Sequence, residues 1–426
     1  MIRTLAIAML LAAPAPVAAE TIAIVHASAF TMTAPQPVRD ATIVVTDGRI
    51  VSVGSAAAAP PGVRVIDAHG HIVTPGLFDP ATQIGLVEIA GARDTDDRTV
   101  ANGPLGAAFD VSFALSSNST LVPVARADGV TQAMSFPGAS ATQPFAGAGA
   151  LVRLREHGPL LERPRAAMFA AIGNGTQAKA GGSRAAQWVL LRNALAEARA
   201  FGASPPLRGP RDQLLDRPDI EALQPVMRGT MPLALVVDRE SDIREAIALS
   251  SDMHVHVVIV GGAEAWRQAH ALAAAHIPVI LDPEVNLPQN FDWIGARLDN
   301  AAILAKAGVT IAFSVSGNSV YLSYDAGLAM RDGAGIAVAN GLPYFDALRA
   351  ITATPAAIWG VQRAGTLAPG ADADLVIWDG DPLEPASAPI MVLIDGKPAS
   401  MATRMTALRD RYAPQRANDP LPPAYR

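Results

Sequence analysis

The sequence predicts an α/β fold with a (β/α)8 TIM-like barrel at its centre. Three observations predict it. Strand-like and helix-like segments alternate between about residues 76 and 364, the pattern of successive parallel β/α units. A span of roughly 250 residues or more is the usual size of such a barrel. Strand-rich patches, each with an Asp-Gly turn, flank the alternating region at the two ends of the chain.

The first residues have the order of a signal peptide, expected over residues 1–19. Arg3 supplies a positive start, Leu5 to Ala13 an apolar run, and Val17-Ala18-Ala19 a small-residue cleavage site. The apolar run is too short to span a bilayer, and no cysteine follows it to carry a lipid. The expected location is periplasmic or secreted. From residue 20 to about 75 the pattern is short strands, with Asp47-Gly48 turning Ala41–Thr46 back into Arg49–Gly54. A second strand-rich patch runs from about 365 to 402 and turns at Asp395-Gly396.

Between the patches, barrel strands are expected at Thr131–Phe136, Ala167–Ile172, Leu233–Asp238, Val255–Val260, Ile277–Asp282 and Val309–Ser314. Helices are expected at about 183–201, 241–250, 264–275 and 298–307. No internal repeat appears, and residues 403–426 form a C-terminal helix or tail whose end, from Pro414, is rich in proline.

Composition narrows the chemistry. Among 426 residues there is no cysteine, which removes thiol nucleophiles, zinc knuckles and iron–sulfur ligation. A chain of this length buries enough surface to be stable without disulfides. The net charge of −6 and the lack of a basic cluster argue against nucleic acid.

Residues 65–83 carry the most specific motif. Val65-Ile66-Asp67-Ala68-His69-Gly70-His71 leads through Ile72-Val73-Thr74 to Pro75-Gly76-Leu77-Phe78-Asp79. This resembles the entry segment of the amidohydrolase superfamily. Ala347–Ala356 resembles that family's A-L-x-x-x-T-x-x-P-A helix, and Gly365–Pro382 follows its G-x-L-x-x-G-x-x-A-D-L-V-x-x-D-x-D-P pattern, closed by Leu393-Ile394-Asp395-Gly396-Lys397. The flavour is imidazolonepropionase-like. The resemblance implies that residues 20–75 and 365–402 pair into one small β-sandwich beside a barrel over 76–364. It also implies one or two divalent metals at the C-terminal mouth of the barrel, lowering the pKa of a bound water.

The ligand positions that the resemblance implies are substituted. The two histidines of the first strand should stand at 81 and 83, where this chain has Ala81 and Gln83. Alanine has no donor atom and a neutral amide is a poor ligand for a transition metal. Asp79 survives two residues earlier, beside Pro80, where capping a turn is its simplest role. Lys179 stands seven residues past Ile172, too far for a bridging carbamate at a strand tip. Val236 cannot bind metal; Asp238 has the correct face, although Arg239 beside it suggests an ion pair. Asp282 and Glu284 reach the mouth, the first explained equally by the turn at Asp282-Pro283. Ser316 takes the place of the last-strand aspartate, with Asn318 just beyond. His254 and His256 precede their strand, at the stability end of the barrel, and His69 and His71 lie before Pro75-Gly76.

Two functions follow. The first is an exported member without the standard binuclear metal centre, a non-catalytic module binding a small molecule at the mouth through Asp79, Gln83, Ser316 and Asn318, or a partner subunit of a related amidohydrolase, with oligomers expected. No cofactor and no membrane span are expected. The alternative is a hydrolase of C–N bonds, on non-peptide or cyclic amides, with a site rebuilt from Asp79, Gln83, Asp238, Asp282 and Glu284, the last three as catalytic candidates, and with zinc as cofactor. No Gly-x-Ser-x-Gly elbow supports a serine hydrolase.

Overall fold

The computed structural model describes residues 20–55, 59–89, 92–140, 144–203, 214–315 and 324–413. The expected signal peptide, Ser316, Asn318 and the tail from Pro414 lie outside the described residues. No helix among those described is long and apolar enough to cross a membrane.

Two sheets organise the chain. The first five strands, β1 (Thr21–Ala29), β2 (Val38–Thr46), β3 (Arg49–Ser55), β4 (Arg64–Asp67) and β5 (Ile72–Pro75), join three from the far end in one sheet. Those are β14 (Leu375–Trp378), β15 (Pro389–Ile394) and β16 (Lys397–Pro398), and the path runs β16-β15-β14-β5-β1-β2-β3 with β4 beside β1. Both Asp-Gly turns form as expected: Asp47 and Gly48 have φ of 48° and 73°, Asp395 and Gly396 of 51° and 73°. The turns then meet. A Cβ on Gly48 would stand 2.9 Å from the Asp395 carbonyl oxygen, so only glycine permits the approach. Ala373 N–H donates to Gly48 O and Gly396 N–H to Ala373 O, both at 2.9 Å, so the sheet folds round on itself. Ile24, Ile43, Val45, Leu375, Ile377 and Leu393 fill the space it encloses.

The second sheet is the barrel. Its strands are β6 (Leu77–Thr82), β7 (Val130–Ser135), β8 (Phe145–Arg153), β9 (Leu161–Ala171), β10 (Leu233–Val237), β11 (Val257–Gly261), β12 (Val279–Leu281) and β13 (Ile311–Phe313), hydrogen-bonded in sequence order. The last strand returns to the first, where Ser314 Oγ donates to Ala81 O at 2.7 Å. The expected eight parallel strands are modified at one place: β8 runs antiparallel to both β7 and β9. The connections on either side of β8 are too short for a crossover helix, so the strand must reverse. Helices make the remaining connections. They are α1 (Leu121–Ala127), α2 (Arg184–Ala203), α3 (Arg217–Met227), α4 (Glu240–Met253), α5 (Ala269–Ala274) and α6 (Asn300–Lys306). After β13 come α7 (Ala326–Ala339), α8 (Tyr344–Ala350) and α9 (Ala353–Ile358), and α10 (Arg404–Tyr412) ends the described chain.

Alternation along β14 joins the two bodies. Leu375 and Ile377 face the core of the first sheet, while Val376 and Trp378 pack into the barrel's outer core. Inside the barrel, Met134, Ala167, Phe169, Ala234, Val258 and Ala312 form an apolar plug, closed below by Trp359. The interior is packed, and cavities open towards the mouth and the base.

One charged cluster crosses the seam. Arg153, at the end of β8 and 4% exposed, sits among Asp374 at 2.7 Å, Asp395 at 3.1 Å and Asp372 at 3.2 Å. Gln132 donates to the same Asp374 carboxylate at 3.0 Å, and Asp395 N–H to its other oxygen at 2.8 Å. Without Arg153, Asp372 keeps Arg49 and Asp395 keeps Arg155, but the buried Asp374 carboxylate has no cation left. Arg153→Met should therefore cost about 3–5 kcal/mol, read as a lower urea midpoint; a loss below ~1 kcal/mol would contradict this.

Candidate functional site at the barrel mouth

A cavity of about 250 Å³ opens at the C-terminal ends of the barrel strands. Ala81, Gln83, Val236, Asp238 and Asp282 all line it, so the expected strand-end positions do converge. Its remaining walls are largely apolar, notably Phe136 and Phe169, whose rings stack with centroids 5.1 Å apart. Trp293 joins from the loop after β12 and also lines an adjoining cavity of about 420 Å³. Glu284 belongs to that second space with Asp325 and Asp332, and Asp282 borders both.

Asp238 is held by the chain that follows β11. Its Oδ1 accepts from Ala263 N–H at 3.2 Å, and the Trp293 indole also donates to the carboxylate. Gly261, with φ of 99°, makes room for this: a Cβ there would stand 2.5 Å from Asp238 Oδ1. Burial pushes the Asp238 carboxyl up to about 6 against these hydrogen bonds, with the nearby Asp292 charge adding to the rise. Asp292 sets Trp293 in place by pairing with Arg184 and accepting from Asn174 N–H at 2.8 Å. The expected Asp238–Arg239 ion pair does not form. Arg239 turns to Asp242, three residues on in α4, with Nε 3.2 Å from its carboxylate. A helix places residues three apart on one face, which favours that partner.

The other sequence candidates are distributed as follows. Asp79 is 1% exposed and does not reach the cavity; it lies within strand β6 rather than at the expected turn, and its Oδ1 accepts from Ala81 N–H at 3.0 Å. Asp282 Oδ1 accepts from Glu284 N–H at 2.9 Å, the turn chemistry expected at Asp282-Pro283. Burial raises the exposed Glu284 carboxyl, with Asp282 and Asp332 contributing. His254 caps α4 with φ of 46°, and His256 directly precedes β11 at the base, while His69 turns between β4 and β5. Lys179 falls in a 3-10 turn, Asn174–Ala180.

Two residues of the site had no sequence motif to reveal them. Trp293 is one. The other is Arg98, in the long segment between β6 and β7, whose Nη1 donates to Gln83 Oε1 at 2.6 Å. These residues do not fit the divalent metal that the resemblance implies. Ala81 and Val236 have no donor atom, and the amide oxygen of Gln83 is already bound to a guanidinium. That guanidinium places a positive charge against the Gln83 amide, which opposes a cation at the same oxygen. Among the described residues no three His, Cys, Asp or Glu converge to hold a metal ion.

Asp79 generates a pH signature. Burial raises its carboxyl from 3.8 to about 7, against the Ala81 N–H and the Thr82 and Ser314 hydroxyls. The folded state therefore keeps a proton that the unfolded chain releases between about pH 4 and 7. Stability is fullest below that window and falls as pH rises through it, by up to ~4 kcal/mol. Asp79→Asn should flatten this slope when urea midpoints at about pH 5 and about pH 8 are compared; an unchanged slope would assign the effect elsewhere.

Comparison with known proteins agrees with this architecture. A family model described as the amidohydrolase family matches residues 237–400. An amidohydrolase from Hapsidospora irregularis is 28% identical over 391 residues, covering 80% of this chain. The match covers 38% of that protein, so the chain spans well under half the length of this curated relative. A solved amidohydrolase from Thermotoga maritima superposes with a TM-score of 0.79 at 24% identity, over 89% of this chain and 99% of that one. A solved molinate hydrolase gives 0.53 at 17% identity, over 94% and 99%. At these identities the solved structures establish the fold alone. The family model and the curated relative fall on a chain with the matching barrel and second sheet, and together they support membership of the amidohydrolase superfamily.

Proposed function

We propose that this protein is an exported, non-catalytic superfamily member that uses the barrel mouth as a receptor for a small molecule. The observation that carries the reading is Gln83, held by Arg98 at a position where the resemblance implies a metal-binding histidine. Ala81 and Val236 leave the wall beside it without donors. The occupant follows from the lining. Phe136, Phe169 and Trp293 offer flat apolar surface to a hydrocarbon body, and Asp238 and Asp282 accept from an ammonium or N–H head. Service as a partner subunit of a related amidohydrolase is compatible with the same mouth. Export through residues 1–19 and an imidazolonepropionase-like ancestry, resting on the pattern at 365–382, are parts of this proposal.

A second reading, hydrolysis of C–N bonds in non-peptide or cyclic amides, is favoured by one observation. An Asp238 carboxyl raised to about 6 can give and take a proton near neutrality. Benzylamine is a suitable probe to separate the two. At about pH 8, where Asp238 is ionised, benzylamine should raise the melting temperature. Asp238→Asn should weaken its binding by about ten-fold, or ~1.4 kcal/mol. Turnover of hydantoins, dihydropyrimidines or dipeptides, removed by the same substitution, would support the hydrolase instead.

A further inference from the structure

The barrel base carries a second cavity, larger than the mouth and opposite in charge. It measures about 720 Å³ and is lined by Arg163 and Arg165 from β9, His256 just before β11 and His276 from the turn before β12. No acidic residue is among the described residues that line it, in a chain whose net charge is −6. We propose that this base cup binds an organic oxyanion, a carboxylate or phosphate carried on an apolar body.

Three observations support a ligand site. Among the described residues Arg163 has no counter-ion: its guanidinium donates to the Trp359 and Gly360 carbonyl oxygens, and partial desolvation lowers its pKa. Arg163 and Arg165 both stand exposed at the rim of the cup, where guanidinium N–H groups not used by the carbonyls can reach an anion. Arg165 is aimed by a bulge. The β8–β9 register moves from Gly149↔Ala167 to Leu151↔Arg163, so extra residues of β9 loop out between them. Arg165 adopts φ of 49° in that bulge, a costly conformation for a residue with a Cβ, and one that tends to persist at functional sites. The floor is the third. Val258, Ile277, Ile358 and Trp359 form an apolar surface beneath the cations, suited to a hydrocarbon or aromatic group.

The cup lies at the end of the barrel opposite the mouth, so it is independent of the receptor reading above. Calorimetric titration of the full chain with phenyl phosphate, phenylacetate and inorganic phosphate tests it. One of the two aromatic anions should bind at a single site, and which one binds distinguishes phosphate from carboxylate. Inorganic phosphate should bind at least about ten-fold more weakly, because it leaves the floor unused. Replacing both arginines, Arg163→Gln with Arg165→Gln, should weaken the aromatic anion by about ten-fold or more. Arg217→Gln, which removes an exposed arginine of α3 paired to Glu221, should leave binding intact. Arg163 also holds the end of α9, so Arg165→Gln alone decides if the double variant unfolds, with a loss of about three-fold or more expected. No saturable binding of either aromatic anion would overturn the proposal, as would equal losses from Arg217→Gln. Equal affinity for inorganic and phenyl phosphate would overturn the apolar part of the assignment.

Discussion

Arg153 joins the two bodies of this protein. Its guanidinium lies at the seam between a barrel strand and the closing strands of the first sheet, within 3.2 Å of Asp372, Asp374 and Asp395. The far end of the chain must come home to complete this cluster, and it brings β14 with it. Trp378 then packs into the barrel core, its indole donating to Thr74 Oγ1 at 2.9 Å while the Arg331 guanidinium lies 5.0 Å from its ring. The Ala-Asp-Leu-Val stretch around Asp374 is thus a structural clasp. Its retention records the need to shut the fold and says nothing about catalysis.

The clasp and the mouth obey different constraints. Cluster geometry at the seam leaves few alternatives for Asp372 and Asp374, since each is buried against a cation. The mouth residues project into open space, where the fold tolerates an alanine, a valine or a glutamine in place of a ligand. Once Arg98 has bound Gln83, the charge of that wall is fixed by the loop between β6 and β7. Asp238 and Asp282 line the mouth cavity beside that wall, whereas Arg163 and Arg165 line the cavity at the base.

Much of this fold was legible in the sequence because its signals are local. Asp47-Gly48 and Asp395-Gly396 demand left-handed backbone and turn where expected. The apolar runs at 233–237 and 257–261 are buried strands with helices following them. Strand β8 was missed because Phe145–Arg153 is mostly glycine and alanine, with little of the β-branched character that marks a strand. Helix α3 escaped notice with Pro225 inside it. The site was less legible. Gln83, Asp238 and Asp282 stand at strand ends, where register predicts convergence. Arg98 and Trp293 come from irregular segments whose course depends on tertiary contacts, and Arg239 chose a partner in the next helical turn over its neighbour. Ser316 and Asn318 lie outside the described residues, and their part in the mouth is still a sequence expectation.

The central claim is that the mouth of this barrel no longer offers a divalent metal its ligands. Calorimetric titration of the purified, chelator-treated protein with zinc tests it most directly. The account predicts no saturable binding tighter than about 100 μM. Stoichiometric binding tighter than about 1 μM, abolished by Asp238→Asn and accompanied by displacement of Arg98 from Gln83, would contradict it.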